Sequence, residues 1–135
     1  MSFALPIRVY WEDTDAGGIV FYANYLKFME RARSDMIRAV GVDQAEELRR
    51  SGSAYAVVEV DIKYRRPAKL GDDLLVVSNV DQVRASSVDI HQRVMRGPEL
   101  LTDAKVTAAF LDGQGRPRRQ PADWVEKFRA ITTDR

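Results

Sequence analysis

The sequence has no cysteine and a single histidine. The first absence removes disulfides, thiolate nucleophiles and zinc–thiolate sites. The second leaves His91 as the only imidazole for base catalysis; it alternates outward with Asp89 and Arg93 on a predicted strand, with no serine motif nearby, so a Ser-His-Asp mechanism has little support. Excess charge is also missing: 21 lysines and arginines against 20 aspartates and glutamates give a net charge of +1, which supplies no field to draw nucleic acid or an anionic membrane. No apolar run approaches the ~18 residues of a membrane span. Met1 to Pro6 offers neither the basic region nor the apolar length of a signal peptide. These absences predict a cytoplasmic protein with no nucleic-acid partner and no membrane span. At 135 residues the chain is expected to form one domain over residues 1–135, with a sizeable core.

The remaining pattern is that of strands around one long helix. Ile7, Val9 and Trp11 alternate with Arg8 and Tyr10, the period of a half-buried strand. From Ala23 to Val40, apolar residues at Tyr25, Phe28, Met29, Ala32, Met36, Ile37 and Val40 fall at helical spacing, and Gly41 marks a stop. At ~1.5 Å per residue the predicted rod is roughly 27 Å long, enough to cross a small domain. Residues 43–50 read as a short polar surface helix. Four strands follow: Tyr55–Tyr64 with Val58, Val60, Ile62 and Tyr64 on one face, then Leu74–Val80, Ser86–Arg96 and Leu101–Leu111. Gly97-Pro98 and Asp112-Gly113-Gln114-Gly115 are turns, and a short closing helix follows Pro121. Short connections make the later strands sequential neighbours. The class is α+β, with an antiparallel sheet covering the long helix.

Chemistry concentrates between the first strand and the helix. Glu12, Asp13 and Asp15 precede Gly17-Gly18 and an apolar run, and carboxylates are costly beside apolar surface unless paired or working. One reading is a solvated turn whose aspartates cap the helix. Asp13, Asp15 and Gly18 have the spacing of a calcium loop, but its twelfth position is Asn24 where a bidentate glutamate is required, and no helix enters it. Asp13-x-Asp15 also fits an aspartyl phosphotransferase, which needs further lysine and hydroxyl motifs on a longer chain. The fourth reading is acyl transfer. A helix start leaves amides unbonded at the positive end of its dipole, so a thioester carbonyl aimed there is polarised while Asp15 attacks it or deprotonates a water. Gly17 and Gly18 let a substrate approach bare backbone.

The run Glu12-Asp13-Thr14-Asp15-Ala16-Gly17-Gly18-Ile19-Val20-Phe21-Tyr22-Ala23-Asn24-Tyr25-Leu26, continuing through Phe28-Met29-Glu30-Arg31-Ala32-Arg33, closely resembles the signature of the hotdog-fold acyl-CoA thioesterases. Within them it is most similar to the YbgC and 4-hydroxybenzoyl-CoA thioesterase branch. Tyr64-Arg65-Arg66-Pro67-Ala68, Gly71-Asp72 and the Pro121 ending extend the likeness over nearly the whole chain. The resemblance implies a long central helix wrapped by a five- or six-stranded antiparallel sheet. It also implies a homodimer whose sheets join, often a tetramer of dimers, with active sites at the dimer interface. It places the catalytic carboxylate on Asp15 and the carbonyl-polarising amide on the backbone N–H of Tyr22. Many YbgC-type sequences have histidine at that position, and Tyr22 resembles the 4-hydroxybenzoyl type instead.

On this reading the chain hydrolyses acyl-CoA to free acid and coenzyme A, with no metal and no cofactor beyond the coenzyme A of its substrate. Gly18 and Tyr25 contact substrate, and Arg65 and Arg66 either bind the phosphates of coenzyme A or form a solvated turn. Tyr25 also serves the core. Glu30 is expected to pair with an arginine such as Arg33 in preference to acting as a second catalytic carboxylate, and Arg116, Arg118 and Arg119 to form a solvated edge. Acyl carrier protein is a second possible carrier of the acyl group. The alternatives are a non-catalytic acyl-CoA or acyl-carrier binding module of an envelope complex, and a dehydratase of the same fold. Retention of Asp15 argues against the first and the placement of His91 against the second.

Overall fold

Tyr25, Phe28, Met29, Ala32, Met36 and Ile37 bury one face of helix α1 (Asn24–Ala39), each of the larger ones contributing roughly 1.5–3 kcal/mol through burial. The computed structural model describes residues 1–132. Its five strands are β1 (Ser2–Arg8), β2 (Ala54–Tyr64), β3 (Asp73–Val83), β4 (Ser87–Arg96) and β5 (Glu99–Leu111). They form one antiparallel sheet in the order β1-β3-β4-β5-β2, with α1 against its inner face. This is the α+β hotdog arrangement. Helix α2 (Gln44–Ser51) and the closing helix α3 (Ala122–Ala130) complete the described residues.

Inward residues alternate along the central strands, as Val88, Ile90 and Val94 do on β4. Two apolar clusters result. One joins Val9, Val20, Tyr25, Phe28, Met29, Ala68 and Leu74 beneath the acidic loop; the other joins Met36, Ile37, Phe110, Trp124 and Phe128 under α3.

Several sequence expectations are corrected. The first strand lies earlier than Ile7–Trp11, because β1 can include Pro6: an edge strand pairs on one side only, and Pro6 lacks just the outward N–H. Trp11 falls in a single 3-10 turn and is 77% exposed. Strands β3, β4 and β5 are sequential neighbours, but β2 is not beside β3; it crosses to the far edge and pairs with β5. In β2 a bulge between Val57 and Glu59 removes Val58 from the row of Val60, Ile62 and Tyr64. Helix α2 is not wholly a surface element, since Glu47 is buried against Arg50 and Ser51. Arg118 is more than a solvated edge: it bonds Ser53, lies over the Phe110 ring and approaches Glu47.

Candidate active site

After β1 the chain makes its 3-10 turn over Trp11–Asp13, closed by Asp13 Oδ2 accepting the Tyr10 N–H at 2.9 Å. Residues 14–20 then fold back as a small hairpin. Thr14 bridges Val20, the Asp15 N–H donates to Ile19 O at 2.9 Å, and the Gly18 N–H donates to Asp15 O at 3.1 Å. Gly18 has φ +81°, a left-handed conformation that strains any residue with a Cβ.

A second loop, residues 65–72, is stitched to this hairpin. Val20 N–H donates to Ala68 O (2.9 Å), Leu70 N–H to Gly18 O (3.1 Å), and Ala68 N–H to the Tyr25 phenol oxygen (3.0 Å). Arg96 braces the second loop in turn, donating through Nη1 to Asp72 Oδ2 (2.7 Å) and to Pro67 O (3.2 Å). Burial pushes the Tyr25 phenol up, against the opposing pull of the Ala68 amide and Arg96.

Helix α1 begins where these loops meet. Asp13 O accepts both the Phe21 N–H (3.0 Å) and Asn24 Nδ2 (2.9 Å), which fixes the entry of the helix. The Leu26 N–H goes to Ala23 O at 3.1 Å, and the amides of Tyr22 and Ala23 have no acceptor among the described residues. These free N–H groups stand at the positive end of the α1 dipole. The Tyr22 carbonyl is taken by a side chain from another element: the Tyr64 hydroxyl donates to it at 3.0 Å.

Between the two loops lies an open cleft of about 250 Å³, lined by Ile19, Val20 and Tyr22 on one side, by Tyr64 to Pro67 on the other, and by Tyr25. Its aromatic wall is tightly built, with Tyr64 lying 6.3 Å from Tyr22 and 5.6 Å from Tyr25 between ring centroids, both edge-on. Loss of solvation, with the neighbouring tyrosines, pushes the Tyr64 phenol up.

Four residues singled out from the sequence, Tyr22, Tyr25, Arg65 and Arg66, therefore line one cleft. Tyr25 is 3% exposed and its hydroxyl is committed to Ala68. Arg65 and Arg66 are exposed; their amides bond Leu101 O at 2.8 and 3.2 Å, and the Arg66 guanidinium approaches Glu99 at 3.5 Å. Asp15 and Gly18 lie on the adjoining hairpin without lining the cleft of the single chain. The Asp15 side chain is exposed, and its Oδ1 accepts the Gly17 N–H at 2.8 Å.

Glu30 does not pair with Arg33: it accepts from Ser34 Oγ at 2.8 Å, while Arg33 turns inward to Gln92 Oε1 at 2.9 Å. His91 faces away from α1 and lies 2.5 Å from Asp103 on the outer face of the sheet. The residue that sequence reasoning overlooked is Tyr64, whose only signal was an aromatic at a strand end before Arg65-Arg66-Pro67. Among the described residues no three His, Asp or Glu side chains gather where they could hold a metal, and no helix is long and apolar enough to cross a membrane.

Residues 9–131 match the thioesterase-like superfamily. The chain is 39% identical over 128 residues to the acyl-CoA thioesterase YbgC of Haemophilus influenzae, covering 94% of each chain. It is 36% identical over 129 residues to the acyl-CoA thioester hydrolase YbgC of Escherichia coli O6:H1, covering 94% of this chain and 96% of that one. The crystal structure of a probable thioesterase from Bartonella henselae superposes with a TM-score of 0.84 at 30% identity, over 90% of this chain and 100% of that one. A match over nearly the full domain, joined to close likeness along almost the whole of the YbgC proteins, shows that this chain belongs to the thioesterase-like superfamily, in its YbgC acyl-CoA thioesterase family.

Proposed function

We propose that the chain is an acyl-CoA thioesterase whose substrate carbonyl lies against the Tyr22 N–H, with Asp15 acting from the adjoining hairpin. The observation that carries this reading is the unbonded Tyr22 amide at the start of α1, beside a cleft whose other wall bears Arg65 and Arg66. A donor at that position stabilises the oxyanion that develops as the carbonyl carbon becomes tetrahedral, a contribution worth about 10²–10³ in rate for one well-aimed group. Asp15 either attacks the carbonyl carbon, giving a mixed anhydride that water opens, or takes a proton from a water that attacks in its place. In both cases the C–S bond breaks, the thiolate leaves and gains a proton, and free acid and coenzyme A are released. Neither route calls on a metal. Arg65 and Arg66 suit coenzyme A phosphates, because guanidinium forks match phosphate oxygens.

A homodimer, or a tetramer of dimers, fits the same reading. Among the described residues the outer edge of β2 has no partner strand, Val57, Val58 and Tyr64 on β2 are 46%, 59% and 45% exposed, and Phe21 and Tyr22 are exposed nearby. A second copy covering that edge would bury Asp15's surroundings and exclude water from the cleft. We place the protein in the cytoplasm, acting on acyl-CoA or on acyl groups held by acyl carrier protein.

The test is release of free thiol from short, medium, long and aromatic acyl-CoA substrates, with acyl carrier protein thioesters in parallel. Turnover of at least one, lost on Asp15→Asn, is expected. Binding of acyl-CoA without release of thiol overturns the reading.

A further inference from the structure

We propose that Tyr64 is a positioning residue for thioester hydrolysis: the hydrogen bond from its hydroxyl to the Tyr22 carbonyl fixes the backbone on one side of Tyr22 Cα, so that the Tyr22 N–H on the other side keeps its aim. This inference rests on the thioesterase reading above.

The first turn of α1 does not hold Tyr22 by itself. The amide one turn on, that of Leu26, bonds Ala23 O, and the Tyr22 N–H and C=O both stand outside the helical ladder. An amide that must act as a fixed dipole gains from being pre-aimed, since reorientation during reaction is a cost that a preorganised group avoids. The Tyr22 N–H belongs to the Phe21–Tyr22 peptide, whose carbonyl accepts the Asn24 N–H at 2.8 Å; Tyr64 supplies the restraint on the following peptide, across Tyr22 Cα. It is the last residue of β2, its hydroxyl reaches the Tyr22 carbonyl at 3.0 Å, and the two are 42 positions apart in sequence. Its ring is held in turn by the edge-on contact with Tyr25, and Tyr25 is anchored by the Ala68 amide. The chain of restraint thus runs from the buried core through Tyr25 and Tyr64 to the backbone of Tyr22 at the cleft. Tyr22's phenol is not part of it, since the bond engages main chain only.

Because the restraint acts on the residue whose N–H meets developing charge, its loss should appear in kcat and leave KM nearly unchanged. The experiment compares the parent protein with Tyr64→Phe, which removes only the hydroxyl, on the acyl-CoA that the parent turns over best. The 13C resonance of the Tyr22 carbonyl is followed in selectively labelled protein. Expected are a fall in kcat of about tenfold, a KM within about twofold, an unchanged oligomer mass and a shifted Tyr22 carbonyl resonance. A parent-like kcat overturns the inference while leaving the thioesterase reading intact. A rise in KM with kcat unchanged also overturns it, because the phenol would then be a substrate contact. A parent protein that releases no thiol from any substrate brings down both. Tyr64→Leu, which also removes the ring, should lower kcat further; a smaller loss than for Tyr64→Phe counts against the inference.

Discussion

The Tyr25 phenol oxygen accepts the Ala68 N–H at 3.0 Å, joining the first turn of the central helix to the loop that follows the edge strand β2. Both partners are buried, so the bond cannot be exchanged for one to water. Tyr25→Phe leaves the Ala68 amide without an acceptor, which costs about 1–3 kcal/mol. Urea unfolding should show the midpoint lowered with an unchanged slope.

Asp15→Asn keeps the shape of the hairpin, because the amide oxygen can still accept the Gly17 N–H that Asp15 Oδ1 now takes at 2.8 Å. The charge and the basic lone pair are lost. Thiol release should fall by at least ~10²-fold, with circular dichroism and thermal midpoint close to the parent. A variant that retains the parent rate removes Asp15 from the mechanism.

Tyr22→Phe should be nearly silent. Tyr22 is 64% exposed, and the role proposed for this residue belongs to its N–H. Rates within about threefold of the parent are expected, measured on the same substrates. A large loss would point to the hydroxyl as an acid or a substrate ligand.

Asp72 links stability to pH. Burial alone would push its carboxyl up, but the Lys69 amide and the Arg96 guanidinium outweigh burial and hold it below the usual carboxylate range. The unfolded chain therefore binds this proton at a higher pH than the folded chain does. The stabilisation from Asp72 is complete above the unfolded pKa, which lies near ~4, and drains away as pH falls through the folded value. Urea midpoints measured from neutral pH downward should drop in that window, and Asp72→Asn should flatten the drop while lowering stability at neutral pH.

The parts of the fold that declared themselves in sequence were those with one dominant period. Helix α1 was expected over Ala23–Val40 and spans Asn24–Ala39, with the same apolar face buried. Strands β3, β4 and β5 alternate strongly enough to be located in order. What stayed hidden depended on partners distant in sequence. The placement of β2 beside β5 is decided by which edge remains free, and its bulge by register with Thr107 and Ala108. The strand through Pro6 was hidden because proline reads as a break until it is known to lie on an edge. At the candidate site, Asp15, Gly18, Tyr22, Tyr25, Arg65 and Arg66 were all picked out by residue type and motif, and four of them line the cleft. Tyr64 needed the coordinates, since nothing local relates it to a carbonyl 42 positions earlier. The Glu30–Arg33 pair was misread because helical spacing takes no account of Gln92, which offers Arg33 an acceptor from β4.

The presence of Pro6 in β1 bears on how copies of this chain can meet. One rim of the sheet has a gap in its row of donors at the proline, whereas the opposite rim, along β2, carries no proline although it is bulged between Val57 and Glu59. Strand-to-strand addition is therefore less favourable along β1 than along β2. A copy added along β2 would leave the proline rim outermost, which disfavours further growth towards a fibril.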